Sequence, residues 1–374
     1  MRDIHRRAFL SAALAGASIP VTAGDPPTVA RLDDEYRRLD TFIVSLRSAN
    51  AARFAIKVPP GIDEARFVSL GGIEQWITIR GRSAANPVLL FLHGGPGDVT
   101  NPWSFALFAP WEEQFTVVQW DQRGAGRTFG RNGAASARTL TLERMAQDGI
   151  ELTEYLRQKL GQKKIILVAH SFGSILGLRM VRLRPDLFCA YVGTGQVADS
   201  QRSELVGYGL LLERARHEGH QQAVEQLSRL GPPPYTSDQA HGVLHSWSNA
   251  LEGADQFLLG NLGLTLAAPG GSVQDINNTV AGEQLSAAQL VPQTRNIGPR
   301  DLGLEFRIPV FFFQGAQDTT TPTPLVQQYA DSIQAPKKQL VSIDGGGHFA
   351  VFTKSQLFLQ ELLRSVRPLA CSGA

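Results

Sequence analysis

The feature of this 374-residue chain that most constrains its fold is a short apolar run closed by a tight turn around a serine. The run from Ile165 to Val168 leads into Ala169–Gly173 (AHSFG), and a helical stretch from Ser174 to Leu183 follows. Small residues on both sides of a serine at a strand-to-helix turn are typical of a nucleophile elbow. Such a string also occurs by chance in polar loops, but the strand before it and the helix after it favour Ser171 as a nucleophile.

A serine hydroxyl becomes an effective nucleophile when a base removes its proton and an acid orients that base. In folds with a nucleophile elbow, the acid and then the histidine follow the serine along the chain. Asp318 follows the apolar run from Ile308 to Phe313, and His348 lies in a glycine-rich loop after the run from Gln339 to Ile343. Both residues come after the carboxyl ends of predicted strands, which is where the functional sites of open α/β sheets lie. We predict a triad of Ser171, His348 and Asp318.

Two other assignments stay open in the sequence. Asp344 is four residues from His348 and competes with Asp318 as the acid, although its place at a strand end favours a turn. His241 and His245 have the i,i+4 spacing of a metal-binding pair on a helix. Neither a neighbouring cysteine nor a glutamate at His-Glu-x-x-His spacing accompanies them. We therefore predict no metal site, and the chemistry expected of the triad needs no cofactor.

A second glycine-rich turn follows the apolar run from Pro87 to Leu92. This turn, His93–Gly97 (HGGPG), allows the backbone to bring N–H groups close to a substrate oxygen without obstruction by side chains. An ordinary strand-to-loop turn rarely needs such a string. The N–H of the residue after the nucleophile is the usual second donor. We predict that the N–H groups of Gly95 and Phe172 form an oxyanion hole.

A third motif makes a family resemblance visible. The apolar run from Phe115 to Trp120 ends in Asp121–Thr128 (DQRGAGRT). Together with HGGPG, the serine elbow, Gly-x-x-Asp and Gly-x-x-His, this string resembles the prolyl aminopeptidase (proline iminopeptidase) family of α/β-hydrolases. The resemblance covers residues 67–195 and 307–366. Carried over by position, it implies the same triad and oxyanion donors, together with a structural ion pair between Asp121 and Arg123.

The resemblance also implies the architecture: an α/β-hydrolase fold with a mostly parallel central sheet flanked by helices and an inserted helical cap. Residues 197–303 occupy the place of the cap, between core segments 24–196 and 304–374. The stretch from Glu204 to Leu230 is predicted as helical from its apolar spacing. Acidic cap residues of the family bind the free α-amine of the substrate. Glu204 and Glu213 are candidates for that role, although glutamates on an amphipathic helix are usually its solvated face.

The expected function follows from the resemblance. The chain is expected to be a serine hydrolase that releases N-terminal proline or a similar residue from short peptides. A carboxylesterase or amidase acting on small apolar acyl substrates is the alternative, since Leu210–Leu212 and Phe257–Leu259 could line an apolar cap pocket. A binding protein that has lost catalysis is the third interpretation, and it is disfavoured because every catalytic position is filled.

Composition bears on several other classes of protein. The chain is 43% hydrophobic and 19% charged, which is sufficient for one large core. A net charge of +2 without long basic runs gives no basis for nucleic-acid binding. No stretch approaches the roughly 18 apolar residues of a membrane span. Two cysteines, Cys189 and Cys371, are too few for a disulfide scaffold. The oligomeric state stays open.

The N-terminus resembles an export signal. Arg6–Leu10 (RRAFL) opens a stretch of apolar and small residues, and Val21–Ala23 (VTA) fits a small-x-small cleavage site. This pattern is typical of a twin-arginine leader over residues 1–23, after which the mature chain would begin near Gly24. We therefore expect a periplasmic or secreted protein. A disordered extension of a cytoplasmic protein is the alternative.

Overall fold

A computed structural model describes residues 29–57 and 59–370 of the chain. The predicted leader over residues 1–23 and Cys371 lie outside the described residues. Among the described residues, the chain divides into two units, one that ends at residue 45 and one that begins at residue 46. Helix α1 (Val29–Arg53) begins in the first unit and ends in the second, and every later element belongs to the second unit.

The second unit is built on an eight-stranded sheet with the order β1-β2-β4-β3-β5-β6-β7-β8. Its strands are β1 (Ile62–Leu70), β2 (Ile73–Gly81), β3 (Val88–Leu92), β4 (Thr116–Trp120), β5 (Ile165–His170), β6 (Phe188–Thr194), β7 (Val310–Gly315) and β8 (Lys338–Ile343). β2 pairs antiparallel with β1 and with β4, and all the other neighbours are parallel. The predicted mostly parallel sheet is confirmed.

The central strands are buried on both faces, which explains why they form continuous apolar runs in the sequence. Every residue of β3 to β7 is buried. Successive side chains point to opposite faces of the sheet. Leu90 and Leu92 accordingly enter one hydrophobic cluster, whereas Leu89 and Phe91 enter another.

Helices close both clusters. In chain order they are α2 (Asn101–Leu107), α3 (Gly126–Asn132), α4 (Leu142–Leu160), α5 (Phe172–Leu183), α6 (Ser200–His217), α7 (Gln221–Leu230), α8 (Asp238–Leu251), α9 (Asp255–Leu266), α10 (Val273–Thr294), α11 (Pro299–Leu302), α12 (Thr323–Ser332), α13 (Ala350–Thr353) and α14 (Ser355–Glu361). Met145 of α4 and Ile175 of α5 enter the first cluster, and Phe358 of α14 enters the second. Within the described residues, no helix combines the length and apolarity needed to cross a membrane.

The segment between β6 and β7, residues 197–303, is helical and is called the cap segment below; it contains α6 to α11. The stretch from Glu204 to Leu230, which was predicted as helical, forms two helices, α6 and α7, with a break at Gly219, whose φ is +75°. A positive φ ends a right-handed helix, and glycine adopts it without a steric penalty. The two helices fold back on each other around Leu211 and Leu227.

Candidate active site

Ser171 lies at the strand-to-helix turn between β5 and α5. Its φ of 53° and ψ of −126° make it the one non-glycine residue with positive φ in the described part of the chain. The Ser171 N–H donates to the carbonyl oxygen of Thr194 over 3.0 Å, which ties the turn to β6. This backbone places the hydroxyl at the carboxyl edge of the sheet, as a nucleophile elbow requires.

Close backbone packing explains the small residues around Ser171. A Cβ atom on Gly173 would lie 2.5 Å from the His93 carbonyl oxygen, and one on Gly94 would lie 2.9 Å from Ser171 Cβ. The elbow and the turn after β3 therefore touch each other. Ala169 is accommodated at the first small position because it faces Gly177, where a Cβ would lie 3.0 Å from Ala169 Cβ.

The fold brings the three side chains of the predicted triad together. Ser171 Oγ is 3.0 Å from His348 Nε2, and His348 Nδ1 is 3.1 Å from Asp318 Oδ2. Because the carboxylate can only accept, His348 Nδ1 carries the proton and Nε2 is available to accept from the hydroxyl. Asp318 is 1% exposed and His348 is 6% exposed, so water screens this pair weakly.

Asp318 is held by backbone and side-chain donors. Oδ1 accepts from the N–H groups of Thr320 (3.0 Å) and Thr321 (2.8 Å), and Oδ2 accepts from Gln314 Nε2 (2.7 Å) and Thr321 Oγ1 (2.6 Å). These bonds satisfy a buried carboxylate and fix its orientation. The competing Asp344 is exposed after β8, so the contacts of His348 favour Asp318 as the acid.

The electrostatic surroundings of His348 favour its charged form. Burial by itself lowers the pKa of His348, but the charge of Asp318, its hydrogen bond and the charge of Glu252 together outweigh burial, so the pKa is raised. Next to Ser171, His170 Nε2 donates to the His348 carbonyl oxygen over 3.1 Å. Burial, followed by the charge of His348, lowers the pKa of His170 to about 3. His170 therefore stays neutral while His348 titrates.

The two predicted oxyanion donors flank Ser171. Gly95 has a φ of 106° and directly follows Gly94, which packs against Ser171. Phe172 is the first residue of α5. Neither the Gly95 N–H nor the Phe172 N–H donates a hydrogen bond within the described residues. N–H groups beside a nucleophile can stabilise the negative charge of a tetrahedral intermediate.

The turn after β3 is braced by the turn after β4. The Gln122 N–H donates to His93 Nε2 over 3.2 Å, and Gln122 Nε2 donates to the His93 carbonyl oxygen over 3.1 Å. Burial lowers the pKa of His93 to about 4, so the neutral ring can accept the first of these bonds. His93 therefore holds the glycine-rich turn in place.

The prediction of an ion pair between Asp121 and Arg123 is wrong, because each side chain has a different partner. Arg123 forms a bidentate pair with Asp148 of α4, with distances of 2.7 and 3.1 Å. Asp121 accepts from Asn101 Nδ2 over 2.6 Å and from the Arg127 N–H over 2.9 Å. The chain turns after β4, so one side chain points towards α4 and the other towards the start of α3. Both still brace the loop.

A residue that sequence reasoning missed connects the cap segment to the triad. Glu252 follows α8 and is 9% exposed. Its Oε1 accepts from the N–H (2.7 Å) and the Oγ1 (2.6 Å) of Thr319, and its Oε2 accepts from the N–H of His348 (2.6 Å). Thr319 directly follows Asp318, so one carboxylate holds the loops of both Asp318 and His348. No motif or periodicity marks this glutamate, because its partners belong to distant loops.

Two further carboxylates that were not predicted lie beside the glycine-rich turn. A Cβ on Gly95 would lie 2.6 Å from Asp98 N, and a Cβ on Gly97 would lie 2.8 Å from Glu283 Cα of α10. Within the described residues, neither carboxylate has a cationic partner. Burial and then the charge of Glu283 raise the pKa of Asp98 to about 7. Adjacency to the HGGPG motif was the one sequence signal for Asp98.

The two predicted cap glutamates lie on α6 in different surroundings. One turn after Glu204, a Cβ on Gly207 would overlap the carbonyl oxygen of Thr319, so this part of α6 packs against the acid loop. Glu204 Oε1 is 2.8 Å from His241 Nε2. Glu213 is exposed further along α6. In the part of the chain that the structure describes, no group of three or more His, Cys, Asp or Glu side chains could hold a metal ion.

A mostly parallel sheet with a strained serine after β5, an acid after β7 and a histidine after β8 is the arrangement of an α/β hydrolase. The α/β hydrolase fold family matches residues 87–355, and the chain belongs to this family. Over 313 residues the chain is 28% identical to a probable aminopeptidase of Bacillus subtilis strain 168. This alignment covers 80% of this chain and 95% of that relative. Over 136 residues the chain is 32% identical to a probable proline iminopeptidase of Streptomyces coelicolor. This alignment covers 36% of this chain and 41% of that relative.

Solved structures show the same fold. A proline iminopeptidase-related protein from Thermus thermophilus has a TM-score of 0.59 and 20% identity, covering 83% of this chain and 99% of that one. An esterase from a Rhodococcus species has a TM-score of 0.52 and 18% identity, covering 83% of this chain and 99% of that one. The predicted resemblance to proline iminopeptidases is confirmed by the relatives.

Proposed function

We propose that the chain is a serine hydrolase in which Ser171, His348 and Asp318 form the catalytic triad. The relay of hydrogen bonds from Asp318 to His348 (3.1 Å) and from His348 to Ser171 (3.0 Å) carries the proposal. Ser171 Oγ attacks the substrate carbonyl carbon while His348 Nε2 takes its proton, and the leaving group receives that proton when the tetrahedral intermediate collapses. A water molecule activated in the same way then hydrolyses the acyl-enzyme.

The N–H groups of Gly95 and Phe172 are proposed to hold the oxyanion of the tetrahedral intermediate. Each donor of this kind is worth about a hundred- to a thousand-fold in rate. The close packing of Gly94 against Ser171 and the free N–H groups support the assignment.

The proposed substrate is a short peptide with a free N-terminus, from which proline or a similar residue is released. The names of the relatives support this class of substrate. Asp98 and Glu283 also support it, because burial and then the charge of Glu283 raise the pKa of Asp98, and a bound ammonium group would favour the ionised forms of both. An ammonium group, in turn, is costly to desolvate unless it meets a negative charge. Glu204, beside the acid loop, and Glu213 are retained as further candidates for this role.

A carboxylesterase or amidase is the second candidate, and an aromatic wall beside the triad favours it. Phe349, which follows His348, lies 5.9 Å from Phe257 of the cap segment between ring centroids. Phe257 also stacks on Phe352 with a centroid distance of 5.4 Å. Such a wall would hold an apolar acyl group. It would hold the pyrrolidine ring of proline as well, so the two candidates differ in whether a free amine is required.

The test compares proline p-nitroanilide, its N-acetylated form and p-nitrophenyl acetate on purified protein. Ser171→Ala is expected to lower turnover of every substrate by several orders of magnitude. N-acetylation is expected to abolish cleavage of the anilide. Asp98→Asn and Glu283→Gln should raise KM for the free amine and leave the ester unaffected. Equal cleavage of the free and acetylated anilides would eliminate the amine site and leave the esterase or amidase.

A fluorophosphonate probe tests the triad separately. It should label Ser171 in the wild-type protein and fail to label the Ser171→Ala variant. Equal labelling of the two proteins would show that Ser171 is not the nucleophile.

We also propose that residues 1–23 direct export and that the mature enzyme consists of core segments 24–196 and 304–374 with the cap over residues 197–303. The twin arginines Arg6 and Arg7 and the cleavage pattern Val21–Ala23 support this organisation.

A further inference from the structure

Glu252 lies where the cap segment meets both loops of the triad. In addition to its bonds with Thr319 and His348, its Oε1 accepts from Ser248 Oγ over 3.0 Å, so both carboxylate oxygens are engaged. A Cβ on Gly347 would overlap the Glu252 carboxylate, so a glycine is needed directly before His348. The side chain and the histidine loop are therefore fitted to each other.

The donors to Glu252 are neutral N–H and O–H groups, so its negative charge is not cancelled by any of them. Burial and then the charge of Asp318 raise the pKa of Glu252, while its hydrogen bonds oppose the rise. In its ionised form, Glu252 is a second negative charge beside the imidazole, in addition to Asp318.

Glu252 also makes one of two hydrogen bonds that hold the backbone of His348 from opposite sides of the residue. The His348 N–H donates to Glu252 Oε2 over 2.6 Å, and the His348 carbonyl oxygen accepts from His170 Nε2 over 3.1 Å. The cap segment holds one end of the residue and the nucleophile elbow holds the other. A displacement of the histidine would lengthen its bond to Ser171, and misplacement of a reacting group by about 1 Å can cost around a hundred-fold in rate.

We propose that Glu252 is a positioning residue through which the cap segment fixes His348 against Ser171 and supports the imidazolium formed during catalysis. The inference rests on the proposed triad. A role as the substrate's amine ligand is not the proposal, because Oε1 already accepts three hydrogen bonds and Oε2 accepts from the His348 N–H.

The experiment uses the full-length protein and the rate at which a fluorophosphonate labels Ser171 across a pH range. This readout depends on the triad and does not require a substrate amine. Glu252→Gln is expected to lower the limiting rate by roughly ten- to a hundred-fold. It should also move the acidic limb of the profile to lower pH, because one of the charges that raise the pKa of His348 is removed.

Glu252→Asp keeps the charge but shortens the side chain. It should lower the labelling rate while leaving the acidic limb near its wild-type position. Glu225→Gln, on the exposed face of α7, is the matched control and should change neither quantity. Circular dichroism checks that each variant is folded. If Glu252→Gln fails to fold, the labelling rate and pH profile of Glu252→Asp test the proposal instead.

Three results would overturn the proposal. The first is a Glu252→Gln variant whose labelling rate and pH profile equal those of the wild type. If Glu252→Gln does not fold, a wild-type rate and profile in Glu252→Asp has the same meaning. The second is a slower Glu252→Gln variant whose acidic limb has not moved, since this indicates a purely structural role. The third is unchanged labelling with a raised KM for proline p-nitroanilide, since this makes Glu252 a substrate ligand. By contrast, no labelling of Ser171 in the wild-type protein would contradict the triad itself and remove the basis of this inference.

Discussion

Gly173 packs so closely against His93 that a Cβ atom on Gly173 would lie 2.5 Å from the His93 carbonyl oxygen. This contact joins the nucleophile elbow to the turn that carries Gly95. The oxygen belongs to the backbone and cannot rotate away as a side chain could. The distance between Ser171 and the proposed oxyanion hole thus depends on the absence of a side chain at position 173.

Gly173→Ala is therefore expected to destabilise the protein by about 1–3 kcal/mol, the usual cost of overpacking. The substitution should also reduce turnover, because the nucleophile elbow must move away from the glycine-rich turn that carries Gly95. Gly209→Ala in α6 is the control, since a Cβ there meets nothing within 4 Å. The free energy of unfolding from urea titration checks the prediction, and equal stability of the two variants would contradict it.

The acidic limb of the pH–rate profile should lie above a pH of about 6.5, the ordinary pKa of histidine. His348 must be neutral to accept the Ser171 proton, and its pKa is raised. Activity should therefore fall as the pH drops through this raised value. His93 and His170, with pKa values of about 4 and about 3, stay neutral over this range. A profile of kcat/KM with p-nitrophenyl acetate measures the limb; a midpoint below the ordinary histidine value would be inconsistent with the electrostatic surroundings described.

Substitution of the two aspartates should separate their roles. Asp318→Asn is expected to lower kcat by about 10⁴-fold, because an amide in this position favours the wrong histidine tautomer. Asp344→Asn should have a mild effect, since Asp344 is exposed and His348 Nδ1 contacts Asp318 instead. Steady-state kinetics on one ester substrate provide the comparison. The opposite ranking would assign the acid to Asp344.

Asp98 should make folding stability depend on pH. Its pKa is about 7 in the folded state, against about 4 in an unfolded chain. Between these values the folded state binds the proton more tightly, so stability falls as the pH rises from about 4 to about 7. Asp98→Asn lacks this loss, so its stability relative to the wild type should rise with pH over that range, by about 4 kcal/mol at most. Urea unfolding at a pH of about 4.5 and of about 8 tests this, with Asp344→Asn as the exposed control; an equal difference at both pH values would refute it.

The leader is testable with a reporter. Residues 1–30 fused to a folded fluorescent protein should direct it to the periplasm, because twin-arginine export carries folded cargo. The double substitution Arg6→Lys with Arg7→Lys should retain the reporter in the cytoplasm. Fractionation in strains with and without the twin-arginine translocase measures the outcome. Transport that persists without the translocase would assign the leader to another route.

The local parts of the site could be predicted from the sequence because each is encoded by consecutive residues. The strand–turn–helix around Ser171 and the HGGPG turn have local geometries that few residue types allow. The position of Asp318 after β7 and of His348 after β8 followed from the order of strands. The break between α6 and α7 was not predicted, since the apolar spacing continues across Gly219 whereas the positive φ of Gly219 ends the helix.

The tertiary structure alone decided which distant groups meet. Glu252 and His348 are 96 residues apart, and their bond exists because α8 ends over the histidine loop. Arg123 pairs with Asp148 rather than Asp121, and Asp98 lies beside Glu283, for the same kind of reason. Hydrogen bonds and charges act over a few ångströms, so their partners depend on how whole elements pack. The sequence by itself determined most of the elements and the serine turn between β5 and α5, whereas the packing of the cap segment against the core decided the surroundings of His348.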